Sequence, residues 1–185
     1  MREGFTPELR LIDLANAVRA DPGISRDGLA RVLRAHGEPD AALTPERFGE
    51  ADAASLRAAV TALTGTLFVE TDTDRAAEEI NTLLTRCAGP PRLSRHDGLP
   101  WHLHIDREAD APWADWFTAS AALVLAQLLT THARVTWGVC QATRCEVLYL
   151  GNGPGSPRRY CSARCSSRAR VAAHRRRSAL ARPAP

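Results

Sequence analysis

The chain has 185 residues, of which 44% are hydrophobic, and this is enough for one or two domains with a buried core. No window approaches the roughly 18 consecutive apolar residues of a membrane span. The N-terminal residues MREGFTPELR also lack the apolar stretch of a secretory signal. The composition therefore predicts a cytoplasmic protein with no membrane segment.

The two ends of the chain carry opposite charge. Residues 1–146 contain all 21 acidic residues and 15 of the 24 arginines, a net charge of −6. Residues 147–185 contain the other nine arginines and no acid, a net charge of +9. An acidic body with a basic end predicts a polyanionic partner for that end. A solvated, disordered basic tail is the alternative that charge alone leaves open.

Apolar residues at helical spacing dominate the first half of the chain. They predict one helix across Leu11–Val18 and a second that ends at Gly37. They predict a third that begins at Pro45, directly after the potential cap Thr44. This half of the chain is therefore expected to be helical, with short connections.

The spacing changes after a fourth helix, which the GPP sequence at residues 89–91 is expected to end. Apolar and polar residues alternate over residues 92–106, and this predicts a small β-hairpin. A long apolar helix then follows Pro112. The sequence therefore predicts a mainly α (α+β) domain over residues 1–134, with one small hairpin.

This domain contains few side chains that are candidates for catalysis or for binding a ligand or a metal. Asp13 and Asn16 are neighbours on the first helix, where they can bind a ligand or simply cap and solvate the surface. His102 and His104 share one face of the predicted hairpin, where they could bind a metal, but an exposed polar face is the favoured interpretation. Cys87 follows an apolar stripe, as a buried free thiol would. Because no catalytic motif or combination of base, orienting group and stabiliser is present, we expect a protein that is not an enzyme.

The four remaining cysteines form two short pairs. Cys140 and Cys145 have four residues between them, 15 residues follow, and Cys161 and Cys165 have three residues between them. Two short pairs separated by a loop are typical of a structural zinc site, in which four thiolates leave no open position on the metal. Two disulfides are the competing interpretation, which a cytoplasmic location disfavours, and four unrelated thiols are the third.

The second cysteine pair leads into a basic helix, predicted over residues 162–178 with Ser162 as its cap. The arginines nearest the cysteines are expected to stabilise the negative charge of the thiolates, namely Arg144, Arg158, Arg159 and Arg164. The others favour binding to the grooves or phosphates of double-stranded DNA, although a frayed solubilising tail is also compatible. A second domain is thus predicted over residues 135–180, with a disordered tail at 181–185. The candidate DNA-binding residues are Arg158, Arg159, Arg164, Arg168, Arg170, Arg175, Arg176 and Arg177.

The C-terminal segment resembles the CGNR zinc finger, and the domain before it resembles the ABATE domain. In the body, the LIDLANAV sequence at Leu11–Val18 is similar to the LDFVNT opening of ABATE proteins. Three departures from the family pattern are Ser166-Ser167 in place of Gly-Asn, Gly151 and Gly153 in the loop, and Ala17 in place of Thr. The residues that match the finger pattern are Cys140, Cys145, Tyr149, Arg158, Arg159, Tyr160, Cys161, Cys165 and Arg168.

The resemblance implies a transcription regulator whose zinc finger binds DNA and whose helical domain senses a small molecule. Asp13 and Asn16 are the candidate effector-binding residues. Because one short finger offers a small footprint, a second subunit is a further possible partner. An adaptor that binds RNA or a protein through the finger is the alternative function.

Overall fold

The computed structural model describes residues 6–95, 101–106, 111–151 and 158–180. These residues form helices, one short 3-10 helix at Asp40–Ala42, and two antiparallel sheets of two strands each. The helices are α1 (Pro7–Ala20), α2 (Arg26–Ala35), α3 (Glu50–Leu67), α4 (Thr73–Cys87), α5 (Trp113–His132) and α6 (Ala163–Leu180). The strands are β1 (Ala88–Ser94), β2 (His102–Asp106), β3 (Trp137–Val139) and β4 (Leu148–Leu150).

Helix α5 forms the centre of the helical domain. It packs against α1, α3 and α4 and also against β2. Its buried side chains Phe117, Val124 and Leu125 join one core cluster with residues of the surrounding helices. The predicted mainly helical fold is therefore confirmed, and α5 supplies the surface against which the other elements bury their apolar faces. No helix among the residues described is long and apolar enough to cross a bilayer.

The third helix begins later than the sequence predicts. Thr44 and Pro45 were expected to start it, but they form a turn in which the Phe48 N–H donates to the Thr44 carbonyl oxygen over 2.9 Å. The helix starts at Glu50, after Gly49, whose N–H donates to the Asp52 carboxylate over 2.9 Å. The fully buried ring of Phe48 explains the delay, because the turn is needed to direct that ring into the core.

The predicted hairpin is present, but its first strand is longer than expected. β1 begins at Ala88 and therefore includes the GPP sequence, which was expected only to end the preceding helix. The pairing with β2 is irregular between Ala88 and Arg92, where the prolines lie. A bulge at the edge of a two-stranded sheet tolerates residues that cannot donate a ladder hydrogen bond. The predicted turn of this hairpin lies outside the described residues.

A second hairpin, β3 with β4, was not predicted, and it joins the C-terminal segment to the helical domain. Trp137, Leu148 and Leu150 are buried in the same core cluster as the helices. The Trp137 indole N–H donates to the carbonyl oxygen of Leu67, at the end of α3, over 2.8 Å. The strands that follow the predicted boundary near residue 134 therefore pack into the core of the helical domain, while the cysteines form a separate small buried cluster.

Helix α6 follows this hairpin and confirms the predicted basic helix. The Ser162 hydroxyl oxygen accepts a hydrogen bond from the Cys165 N–H over 3.2 Å, as expected of a cap. The predicted tail at 181–185 and most of the glycine-rich loop after Gly151 lie outside the described residues. The helix is thus fixed to the rest of the protein at its first turn.

The backbone at Gly151 lies so close to that of Thr136 that only a glycine fits there. A Cβ atom added to Gly151 would lie 2.6 Å from the carbonyl oxygen of Thr136, whereas one added to Gly65 in α3 would meet nothing within 4 Å. We expect Gly151→Ala to lower the free energy of unfolding by about 1–3 kcal/mol, because backbone must move. Gly65→Ala should raise it by about 0.5–1 kcal/mol, because alanine favours the helix.

Chemical denaturation of both variants and the parent measures this difference. Equal effects of the two substitutions would show that the Thr136 carbonyl does not constrain residue 151.

Candidate metal centre

The four cysteines of the C-terminal segment converge on one point. Their sulfur atoms all lie within 4.8 Å of one another, although 25 positions separate the first cysteine from the last in the sequence. The Cys161 sulfur lies 3.7 Å from that of Cys145 and 3.6 Å from that of Cys165. The sulfurs of Cys145 and Cys165 are 3.8 Å apart. The predicted cluster is therefore formed.

Two different local structures supply the two cysteine pairs. The first pair lies in a turn after β3, where the Cys145 N–H donates to the Ala142 carbonyl oxygen and Arg144 adopts a φ of 61°. The second pair lies at the start of α6, where the Ser162 cap orients the first turn. A turn and a helix start each bring two thiols to the same side, so each pair presents two sulfurs to a shared centre.

The distances fit a tetrahedral zinc ion. A zinc–sulfur bond of about 2.3 Å in a tetrahedron places the sulfurs about 3.8 Å apart, close to the three separations above. A disulfide needs about 2.05 Å between sulfurs, and all five cysteines of the chain are free. The disulfide interpretation is thus excluded in this structure, and the site is suited to one zinc ion held by Cys140, Cys145, Cys161 and Cys165.

Two thiols of the cluster, those of Cys140 and Cys161, differ in pKa when no metal compensates their charge. Burial on its own raises the pKa of Cys140, but the N–H groups of Cys161 and Ala142 outweigh it and lower that pKa to about 7. Burial and the neighbouring sulfurs raise the pKa of Cys161 to about 12. A bound metal ion would supply positive charge at the sulfurs and displace the protons that remain on them.

The arginine that approaches the sulfurs most directly is one that was assigned to DNA. The Arg168 guanidinium lies 3.5 Å from the Cys165 sulfur, close enough to stabilise its thiolate. Arg159, which was expected to stabilise the thiolates, donates instead to the Gln141 side-chain oxygen over 2.7 Å.

Arg158 holds the finger together through backbone carbonyls. Its guanidinium donates to the carbonyl oxygens of Leu150, Tyr160 and Cys161. It also lies 5.6 Å from the centre of the Tyr149 ring, whose hydroxyl donates to the Arg158 carbonyl oxygen over 2.6 Å. The side chain of Arg158, which was predicted to bind DNA, thus links β4 to the start of α6.

The two candidate effector-binding residues have different surroundings. The Asp13 carboxylate lies on the surface, 2.9 Å from the His36 ring nitrogen. The Asn16 amide nitrogen donates to the carbonyl oxygens of Ile12 and Leu148. The Asn16 amide oxygen accepts from the Leu148 N–H over 2.8 Å. Asn16 therefore pairs with the backbone of β4 as a neighbouring strand would, and fixes the C-terminal segment to α1.

The structure brings the other candidate residues into no common site. Cys87 is buried, with its sulfur 3.9 Å from a carboxylate oxygen of Asp115 in α5. His104 lies on β2, away from the cysteine cluster, and the side chain of His102 is outside the part of the chain that the structure describes. The roles of Asn16 and Arg158 were missed because their partners are backbone groups, which carry no residue-type signal in a sequence.

The fold and the cysteine cluster define a zinc-finger protein whose finger is docked on a helical domain. The CGNR zinc finger model matches residues 137–178, and the ABATE model, described as "Putative stress-induced transcription regulator", matches residues 10–134. The chain therefore belongs to the ABATE family and ends in a CGNR zinc finger. No curated protein matches the chain.

Zinc content tests the metal centre. We expect about one zinc ion per chain in the parent protein purified under reducing conditions. Cys161→Ser should lose most of that zinc, because a serine hydroxyl is a poor ligand for this ion. Cys87→Ser is the matched control, because Cys87 is a free buried thiol outside the cluster, and it should keep the zinc. Elemental analysis measures both, and equal zinc in the two variants would contradict the assignment.

The pairing of Asn16 with β4 predicts a second result. Asn16→Asp keeps the size of the side chain, but directs a carboxylate at the carbonyl oxygens of Ile12 and Leu148. We expect it to lower the free energy of unfolding by about 1–3 kcal/mol at neutral pH, because neither carbonyl then has its side-chain donor.

Asn81→Asp on the exposed surface of α4 is the control and should be nearly neutral. Thermal or chemical denaturation followed by circular dichroism compares the two. A neutral Asn16→Asp variant would show that the link between α1 and β4 contributes little.

Proposed function

We propose that this protein is a transcription regulator that binds double-stranded DNA through its zinc finger and the helix α6. The single observation that carries the proposal is the placement of a uniformly basic helix directly on the closed zinc site. Residues 158–177 contain eight arginines and no acid. Zinc fixes the first turn of this helix, and the rest extends from the finger as a positively charged rod that matches the phosphate backbone of a duplex.

The positive charge of α6 is available to a partner outside the chain. Among the described residues, the ion pairs all lie in the helical domain, and none includes an arginine of α6. A row of guanidinium groups without acidic partners releases counterions from DNA when it binds phosphates, and this favours association. The arginines of α6 with exposed side chains are Arg164, Arg168, Arg170, Arg175, Arg176 and Arg177.

The two arginines before the helix have a different role in this proposal. Arg158 and Arg159 have exposed surface and line an open groove of about 470 Å³ beside the start of α6, together with Ser162 and Ser166. Their hydrogen bonds to carbonyls and to Gln141 already orient them. We assign them to positioning the finger, with phosphate binding as a secondary role.

The helical domain is the part that we propose to bind an effector. α3 and α4 both pack along α5, and between them lies a cleft of about 580 Å³. Apolar side chains such as Ala59 and Leu63 line it, together with the charged residues Glu79, Arg86 and Asp115. An apolar cleft of this size with a few polar groups is typical of small-molecule sites. It is a better candidate than Asp13 and Asn16, and a second copy of the chain is a further partner.

We infer that the protein acts without catalysis, in the cytoplasm and on the nucleoid. Within the described ranges, the cysteine cluster is the only group of three or more potential metal ligands, and its four sulfurs leave no open position for a reacting water. A reducing compartment keeps such thiols available for zinc.

One observation favours an adaptor as the second candidate function. The β1–β2 hairpin exposes Leu93, Trp101 and Leu103, and exposed apolar side chains at neighbouring positions are typical of surfaces that bind proteins. Competition among duplex DNA, single-stranded DNA and RNA distinguishes the two functions. Preference for duplex DNA supports the regulator, whereas binding of all three without preference, or of none of them, supports the adaptor.

Replacing Arg175, Arg176 and Arg177 by Gln tests the electrostatic contribution. We expect weaker binding to every duplex, and a slope of log affinity against log salt concentration that falls by up to roughly 0.9 for each phosphate that the variant no longer neutralises. Fluorescence anisotropy with labelled duplexes over about 50–200 mM salt measures both quantities.

The control is a triple Gln variant at Arg19, Arg31 and Arg75, three exposed arginines of the helical domain. It removes the same charge from the helical domain instead of α6. If both triple variants lower the slope equally, net charge and not α6 determines the binding.

A further inference from the structure

The zinc site determines which side of α6 faces outward. Cys165 is buried, and at 3.6 residues per turn Ala169 and Ala172 lie on the same side of the helix, where both are partly buried. The opposite side is occupied by residues with exposed side chains. Because the metal holds Cys165, the helix is not free to rotate about its axis, and this outward side is a fixed surface.

The centre of the outward side carries no arginine. Ser167, Val171 and His174 follow one another at i, i+4 and i+7 and form a strip, which we call the central strip. Val171 is 51% exposed, although it is the one sizeable apolar residue among the described side chains of α6. A helix that served only to solubilise the chain gains nothing from an exposed valine at this position.

Arginines flank the central strip on both sides. At about 100° per residue, the two rows lie at opposite edges of the strip, one on each side of the outward surface. The Ser167 hydroxyl accepts a hydrogen bond from Arg170 over 3.3 Å, so the strip and one row are in contact. The first row is Arg164 and Arg175, with Arg168 between them reaching back to the Cys165 sulfur, and the second row is Arg170 and Arg177.

We propose that the central strip reads base edges in the major groove, while the two arginine rows hold the phosphates of the two strands. This inference rests on the proposed DNA-binding function and adds the residues that would give it sequence preference. The major groove is about 12 Å wide and admits an α-helix. Long arginine side chains at both edges of that helix reach the groove walls, and short side chains at its centre meet the bases.

The chemistry of the strip fits a small recognition surface. Val171 is suited to the methyl group of thymine, and Ser167 and His174 offer hydrogen-bonding groups to base edges. From Ser167 to His174 the helix rises about 10 Å, which corresponds to about three base-pair steps. One copy of the chain is therefore expected to specify a core of about three to four base pairs.

Selection from a library of randomised duplex DNA tests the inference with the full-length, zinc-loaded protein. We expect the parent to enrich a short motif. Val171→Ala, His174→Ala and Ser167→Ala should each reduce the preference for the motif over random duplex by about five- to tenfold at one position, and leave the salt dependence unchanged. The Gln variant of Arg175 and Arg177 should do the reverse, with weaker binding overall and the same motif.

Val69→Ala is the matched control for Val171→Ala, because Val69 is an equally simple exposed valine, 60% exposed, in the helical domain. Zinc content and helicity of every variant show that it is folded. A motif that survives all three strip substitutions overturns the inference and leaves DNA binding intact. Salt-dependent binding to duplex DNA with no enriched motif also overturns the inference and leaves DNA binding intact. Absence of duplex binding by the folded parent overturns both the inference and the proposed function.

Discussion

The convergence of four cysteine sulfurs is the constraint on which the C-terminal segment of the molecule depends. The raised pKa of the Cys161 thiol opposes ionisation of the cluster when no cation is bound. With one, the turn after β3 and the first turn of α6 are held at a fixed distance and angle. The metal therefore does more than stabilise a small segment: it sets the direction in which a basic helix leaves the protein and the side that this helix presents.

The finger and the helical domain form one structural unit at their junction. Trp137 and Leu148 belong to the core that α5 organises, and Asn16 pairs with the backbone of Leu148. A shift of α1 or of the end of α3 would be transmitted directly to the strands that carry the first cysteine pair. This arrangement gives the proposed effector cleft beside α3 a short connection to the finger, through packed side chains.

Features encoded in local spacing could be predicted from the sequence. The cysteine pairs, the Ser162 cap and the helical periodicity around Leu11–Val18 are all visible in short windows, and the structure contains the elements that they predict. Features that depend on contacts with backbone groups far away in the sequence could not be predicted. The partner of Asn16 lies 132 residues away, and Arg158 binds carbonyl groups that any residue could supply. The start of α3 was misplaced because burial of Phe48 outweighs the local preference of Thr44 and Pro45 for a helix start.

The long separation between Asn16 and Leu148 also has a consequence for synthesis. Because the chain emerges from the ribosome N-terminus first, at roughly 5–20 residues per second, α1 waits on the order of ten seconds for the strand that completes its packing. During that interval the apolar side chains that pack against Trp137 and Leu148 in the folded core lack these two partners. The core is thus completed as the cysteines emerge, so that metal capture and completion of the core are linked in time during translation.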